Sequence, residues 1–172
     1  MPPLLIAGLL LESLLAPFPQ AILAAPSGPA PLGMFAPLIG RSWTAEFPGG
    51  KATDHQQFEW VYGEKFVRNT HQVRSAEGGV VYEGETVYAW DARQQRIVWW
   101  YWNSTGGYVT GTAHRRDDGA IVSEGENSGP ANQLDRTRLI LRIGDGQWTS
   151  QGAQQRDGKW TEQPARTYRP AK

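Results

Sequence analysis

The chain has 172 residues, 40% of them hydrophobic, with eight Trp and a formal net charge of zero from 17 basic and 17 acidic side chains. That apolar content suffices for one packed domain plus a leader, and the charge balance excludes the basic excess that a nucleic-acid surface needs. Cys is absent, which excludes disulfides, thiolate catalysis and Cys-based zinc sites.

Residues 4–15 form an apolar run interrupted by Glu12, too short to cross a bilayer comfortably. Ala21, Ile22, Leu23, Ala24 and Ala25 follow, small and apolar residues suited to cleavage after Ala24. A signal peptide over 1–24 and export to the periplasm or beyond are therefore expected, with an unusual feature: no Lys or Arg precedes Arg41. Residues 25–33, rich in Pro and Ala, read as a linker, and 34–172 as the folded domain. No lipobox Cys is present, so no membrane contact is expected after processing.

Residues 34–40 read as one helical turn. From residue 42 onward the pattern is strand after strand: 42–47, 55–62, 65–74, 80–90, 97–103, 108–116, 120–127, 136–143, 147–154 and 159–169. Asp118-Gly119, Asp145-Gly146 and Asp157-Gly158 mark hairpins, because a type I′ turn needs φ > 0 at both central residues. No segment carries a helical period long enough for a crossover. The predicted architecture is all-β: an antiparallel up-and-down β-barrel of about ten strands.

Turn lengths set the pairings. The turn at Gly63-Glu64 pairs Trp60 with Val67 and Phe58 with Asn69. A turn after Ser75 pairs Val73 with Tyr82 and His71 with Gly84, and the turn after Trp90 pairs Tyr88 with Trp99. A four-residue turn at 104–107 sets Tyr101 beside Thr110 and Trp99 beside Thr112. Asp118-Gly119 then sets His114 beside Ser123. One resulting face is aromatic and polar; the other carries Glu59, Arg68, Glu83, Glu85, Glu124 and Glu126. Burying that many charges costs several kcal/mol each, so the aromatic face belongs inside. Val87, Val98, Trp100 and Trp102 then point outward, to be covered by the N-terminal segment or by a second subunit in a homodimer.

The expected interior is richer in hydroxyl, amide and imidazole groups than a packed core requires. It reads as a pocket for a small apolar or aromatic molecule, lined by Trp60, Asn69, His71, Thr86, Tyr88, Trp99, Tyr101, Thr112 and His114. His71 and His114 share that face, yet no third ligand has a suitable spacing, so no metal and no cofactor are expected. Glu83-Gly84-Glu85 and Glu124-Gly125-Glu126 repeat a short pattern whose carboxylates read as a solvated face. Gly-x-Ser-x-Gly, a phosphate loop and His-Glu-x-x-His are absent. Tyr88 or Tyr101 with His71 could serve as an acid–base pair in an enzyme using the same cavity. Outward Trp100 and Trp102 would instead suit an interaction module.

Gly40-Arg41-Ser42-Trp43 resembles the Gly-x-Trp opening of the calycins, lengthened here by one residue. The resemblance implies that Trp43 closes one barrel end beneath a basic side chain, Arg166 or Arg169. Tyr82-Glu83-Gly84, Tyr88-Ala89-Trp90-Asp91 and the run Trp100-Tyr101-Trp102-Asn103-Ser104-Thr105-Gly106-Gly107 are similar to bacterial lipocalin-like domains of unknown function, over 34–170. Some lipocalin-like barrels decarboxylate or cyclise small substrates, which is the enzyme alternative that the resemblance implies.

Overall fold

The computed structural model describes residues 31–128 and 136–171, so the leader reading and the first part of the linker reading lie outside the described residues. A 3-10 helix over Pro31–Leu38 opens the described chain. Leu32, Phe35 and Leu38 recur every third residue, which in a 3-10 helix stacks them on one edge, and all three are buried. The helix thus begins inside the stretch read as linker.

Eleven strands follow: β1 (Ser42–Glu46), β2 (Ala52–Val61), β3 (Phe66–Ser75), β4 (Val80–Asp91), β5 (Arg96–Asn103), β6 (Tyr108–Arg115), β7 (Ile121–Asn127), β8 (Arg136–Gly144), β9 (Gln147–Arg156), β10 (Lys159–Glu162) and β11 (Arg166–Pro170). Ten of them close into an antiparallel barrel. β1 to β9 pair in succession, β9 pairs with β11, and β11 pairs with β1. β10 stands outside the ring and continues β11's edge, pairing with 153–156 of β9 where β11 pairs with 148–150.

The helix packs against β3 and β4 and seals one end, here called the base. Phe35 tilts over the Tyr88 ring at 4.4 Å between centroids. Trp43 is 2% exposed and its Nε1–H donates to the Leu38 carbonyl at 2.8 Å. Its basic neighbour differs from the expectation: Arg41 lies 5.5 Å from the Trp43 ring. Arg169 sits opposite Thr44, on the outer face of β1, because it is one residue out of phase with the inward Tyr168. Arg166 points inward and lies over Phe47 at 4.4 Å.

Most expected registers hold. Trp60 pairs with Val67, Val73 with Tyr82, His71 with Gly84 and Tyr88 with Trp99. β6 departs by one residue. Asn103 accepts hydrogen bonds at Oδ1 from the backbone N–H groups of Thr105 and Gly107, and Gly106 adopts φ 81°. The loop is therefore one residue shorter than expected, a type I turn closed by a glycine bulge. Tyr101 pairs with Val109 and Trp99 with Gly111. Thr110, Thr112 and His114 consequently stand on the outer wall, while Val109, Gly111 and Ala113 face inward. Asp118-Gly119 makes the same kind of turn, with Gly119 at φ 81°, so His114 pairs with Val122 rather than Ser123. The two one-residue shifts cancel. Ser123 and Gly125 face inward as expected, and Glu124 and Glu126 outward. Of the Asp-Gly turns, only Asp157-Gly158 has positive φ at both residues, 51° and 74°. Trp100 and Trp102 stand outward, 40% and 45% exposed.

Candidate functional site

Period-two alternation sends Asp54, Gln56 and Phe58 inward from β2, and Asn69 and His71 from β3. β4 contributes Tyr82, Gly84, Thr86 and Tyr88; β5 contributes Trp99, Tyr101 and Asn103. β9 adds Trp148, Ser150 and Gly152, and β11 adds Arg166 and Tyr168. These side chains surround a cavity of about 300 Å³. Its base is apolar, built from Phe58, Tyr88, Trp99, Leu141 and Trp148, and its far end is polar. Trp148 stacks on Tyr168 at 3.9 Å and meets Phe58 edge-on at 5.8 Å. The Trp148 Nε1–H is buried without a protein acceptor.

Two glycines make room for the aromatics. Gly84 lies between His71 on β3 and Asn103 on β5. A Cβ there would stand 2.6 Å from the Tyr101 hydroxyl and 2.8 Å from His71 Nε2, so only Gly lets those two side chains meet across it. Gly125 does the same for Trp99, whose indole ring would lie 2.7 Å from an added Cβ. Both Glu-Gly-Glu repeats are thus inward glycines between outward carboxylates.

The polar end is organised around Asp54, 2% exposed. Tyr168 donates to its Oδ2 at 2.7 Å and Gln56 Nε2 at 3.0 Å, while Arg166 Nη1 approaches at 3.5 Å. His71 Nδ1 faces Oδ1 at 3.4 Å, an ion-pair distance with poor hydrogen-bond alignment. Burial works to raise the Asp54 pKa, but the nearby His71 ring and the hydrogen bonds from Tyr168 and Gln56 outweigh it and hold the carboxyl below its ordinary value. On its other side His71 Nε2 lies 3.2 Å from the Tyr101 hydroxyl, which is 2.5 Å from that of Tyr82. Burial, then the Tyr82 contact, pushes the Tyr101 hydroxyl well above the usual tyrosine range. Burial also pushes Tyr88 up to about 12, opposed by the nearby Ser123 hydroxyl. Tyr101 and Tyr88 are therefore neutral hydroxyls.

Because Asp54 releases its proton more readily folded than unfolded, its stabilising contribution is full above the ordinary value of 3.8 and is lost as pH falls through the lower folded value. Asp54→Asn should therefore flatten the acid limb of the stability curve. Unfolding midpoints measured across acidification check this, with wild type losing stability below pH 3.8 more steeply than the variant.

Asn69, His71, Thr86, Tyr88, Trp99 and Tyr101, all expected in the pocket, do line the cavity. Trp60 does not; it packs against the apolar cluster at the base. Thr112 and His114 lie on the outer wall, for the register reason given above. Asp54, Gln56, Tyr168 and Arg166 were not expected as lining residues. The alternation that places Phe58 and Trp60 inside also turns Gln56 inward within the expected strand, and it reaches Asp54 one residue before that strand's expected start. Among the described residues, no three His, Asp or Glu side chains converge as a metal site would require.

A closed ten-stranded antiparallel barrel, sealed at one end and holding a half-polar cavity, defines the structural class and is consistent with the calycin-like expectation. The crystal structure of Rv2717c from M. tuberculosis is similar, with a TM-score of 0.60 over 83% of this chain and 99% of that one. The two are 18% identical, so the similarity concerns the fold alone. No family model and no curated protein matches the chain.

Proposed function

We propose that the barrel binds one small apolar or aromatic molecule in its interior. The observation that carries this reading is the cavity of about 300 Å³ with an aromatic base and a polar far end. That volume and that mixture of walls are typical of small-molecule sites. The buried Trp148 Nε1–H supports it, since an unpaired donor beside a cavity favours an occupant that accepts a hydrogen bond.

Titration with a small uncharged fluorophore tests the reading. Wild type should bind it, and Trp99→Ala and Tyr88→Leu should each change the affinity, because both rings line the cavity. Gln at Glu83, Glu85 and Glu124 should leave binding unchanged and stability within about 0.5 kcal/mol, as those carboxylates stand outside the wall. Large losses from the Glu changes with none from the aromatic ones would overturn the interior site.

A further inference from the structure

A pocket that merely accepts an apolar molecule does not need the linear chain Asp54–His71–Tyr101–Tyr82. Four strands each supply one member: β2, β3, β5 and β4. The contacts run 3.4 Å from Asp54 Oδ1 to His71 Nδ1, 3.2 Å from His71 Nε2 to Tyr101, and 2.5 Å between the two hydroxyls. All four line the cavity. Gly84 is the position that allows the middle contact, and alanine there would collide with both partners.

The His71 tautomer sets the polarity of the chain. A carboxylate can only accept, so the tautomer with its ring proton on Nδ1 is the one that suits the approach to Asp54, and it leaves Nε2 as the acceptor. Tyr101 then donates to Nε2, and Tyr82 donates to Tyr101. Every hydroxyl proton points inward along the chain. The Tyr82 oxygen is left as an acceptor, matched to an arriving O–H donor. Around His71 the charged and titratable neighbours are Asp54 on β2, Tyr82 on β4, Tyr101 on β5 and, through Asp54, Arg166 and Tyr168 on β11.

We propose that this chain is a proton-accepting subsite for an aromatic oxygen acid of the phenol class, which enters protonated and is held as its anion. The proposal rests on the cavity-binding reading and specifies its ligand. The ligand proton passes to the Tyr82 oxygen, the Tyr82 proton to Tyr101, and the Tyr101 proton to His71 Nε2. One O–H bond is lost on the ligand and one N–H bond is gained on His71, with no electrons transferred and no co-reactant. The contacts from the ligand to Tyr82, from Tyr82 to Tyr101 and from Tyr101 to His71 Nε2 each reverse direction, while the His71 Nδ1 proton stays facing Asp54. The phenolate then accepts from Tyr82, and the new imidazolium lies against Asp54, whose charge the Tyr168 hydroxyl and Arg166 already support. Hydrogen bonds to a charged acceptor in a site removed from water are the stronger kind, which is what draws the proton off the ligand. The aromatic body would lie on Phe58, Tyr88, Trp99 and Trp148.

The test uses para-nitrophenol at a pH about one unit below its own ionisation, where most of the free probe is neutral and its phenolate absorption is weak. Its methyl ether, para-nitroanisole, has the same shape and no acidic proton. Wild type should bind the phenol with the appearance of the phenolate band. Tyr101→Phe and Tyr82→Phe should bind it about tenfold more weakly and without that band, while their affinity for the ether stays at the wild-type level. A neutral spectrum of the phenol bound to wild type, or a phenolate band that survives Tyr101→Phe, would overturn the proposal. The wild-type spectrum decides the matter even if a variant folds poorly. Binding of the ether with a neutral phenol spectrum would remove the relay alone. Failure of the ether, the phenol and the uncharged fluorophore to bind would remove the cavity reading itself.

Discussion

Replacing Trp43 with Ala should lower the unfolding free energy by about 3–5 kcal/mol, the range for a large aromatic removed from a packed interior. Trp43 ties two elements together. Its indole ring meets Trp148 edge-on at 6.4 Å, inside the barrel, and its Nε1–H donates to Leu38 at the end of the 3-10 helix. Alanine would leave a void at the base and a buried carbonyl without its donor, so the transfer, cavity and hydrogen-bond losses all fall on the same residue. The cavity lining does not include Trp43, so affinity for the fluorophore should change far less than stability. Urea denaturation followed by far-UV circular dichroism reads the first effect and fluorophore titration the second. A stability loss within about 0.5 kcal/mol would mean that the base is not held through this residue.

Gly111→Ala should be about as damaging, for the opposite reason. Gly111 pairs with Gly125 across β6 and β7, both facing inward. A Cβ on Gly111 would overlap the Glu124 carbonyl oxygen and stand 2.6 Å from the Gly125 Cα. Those are backbone atoms, which cannot rotate aside as a side chain can, so the two strands would have to part. Overpacking of this kind costs about 1–3 kcal/mol, and the rigid obstacle places this case at or beyond the upper end. Gly144→Ala offers the comparison, since the nearest atom to its added Cβ is 3.9 Å away. Soluble yield and the urea midpoint of the two variants should differ sharply. Equal midpoints would show that β6 and β7 can yield at that point.

The barrel is legible because most strands alternate and because charges cluster on one face, even though the run from Ile97 to Trp102 is apolar on both faces. Registers through β2, β3, β4 and β5 follow from turn lengths, between β3 and β4 only because a bulge beside Val73 and Arg74 offsets a turn one residue shorter than the spacing suggests. The register of β6 is ambiguous in the sequence because a turn of Asn, Ser, Thr and two Gly fits two loop lengths. The choice between them rests on the Asn103 side chain capping two backbone N–H groups, a contact that spacing does not reveal. Seven of the nine expected pocket residues lie before that turn, on β2 to β5, and all of them except Trp60 line the cavity. Thr112 and His114 lie just after it and do not. The Asp54 cluster is not legible in the sequence because Asp at the head of a strand looks like a loop residue. Its burial depends on partners that include Arg166 and Tyr168, the latter 114 residues further along the chain.

The ring of strands is made almost entirely of hairpins between sequence neighbours, which can form as soon as each segment is available. One link is different. β1 pairs with β11, so residues 42–46 must meet residues 166–170 before the ring exists. Until then β1 and β9 are open edges, and Trp43 has no finished interior to enter. Long-range closure of this sort slows folding and lengthens the life of species with unpaired edges. On a ribosome, the meander would grow strand by strand yet stay an open, sticky sheet until nearly the whole domain had emerged.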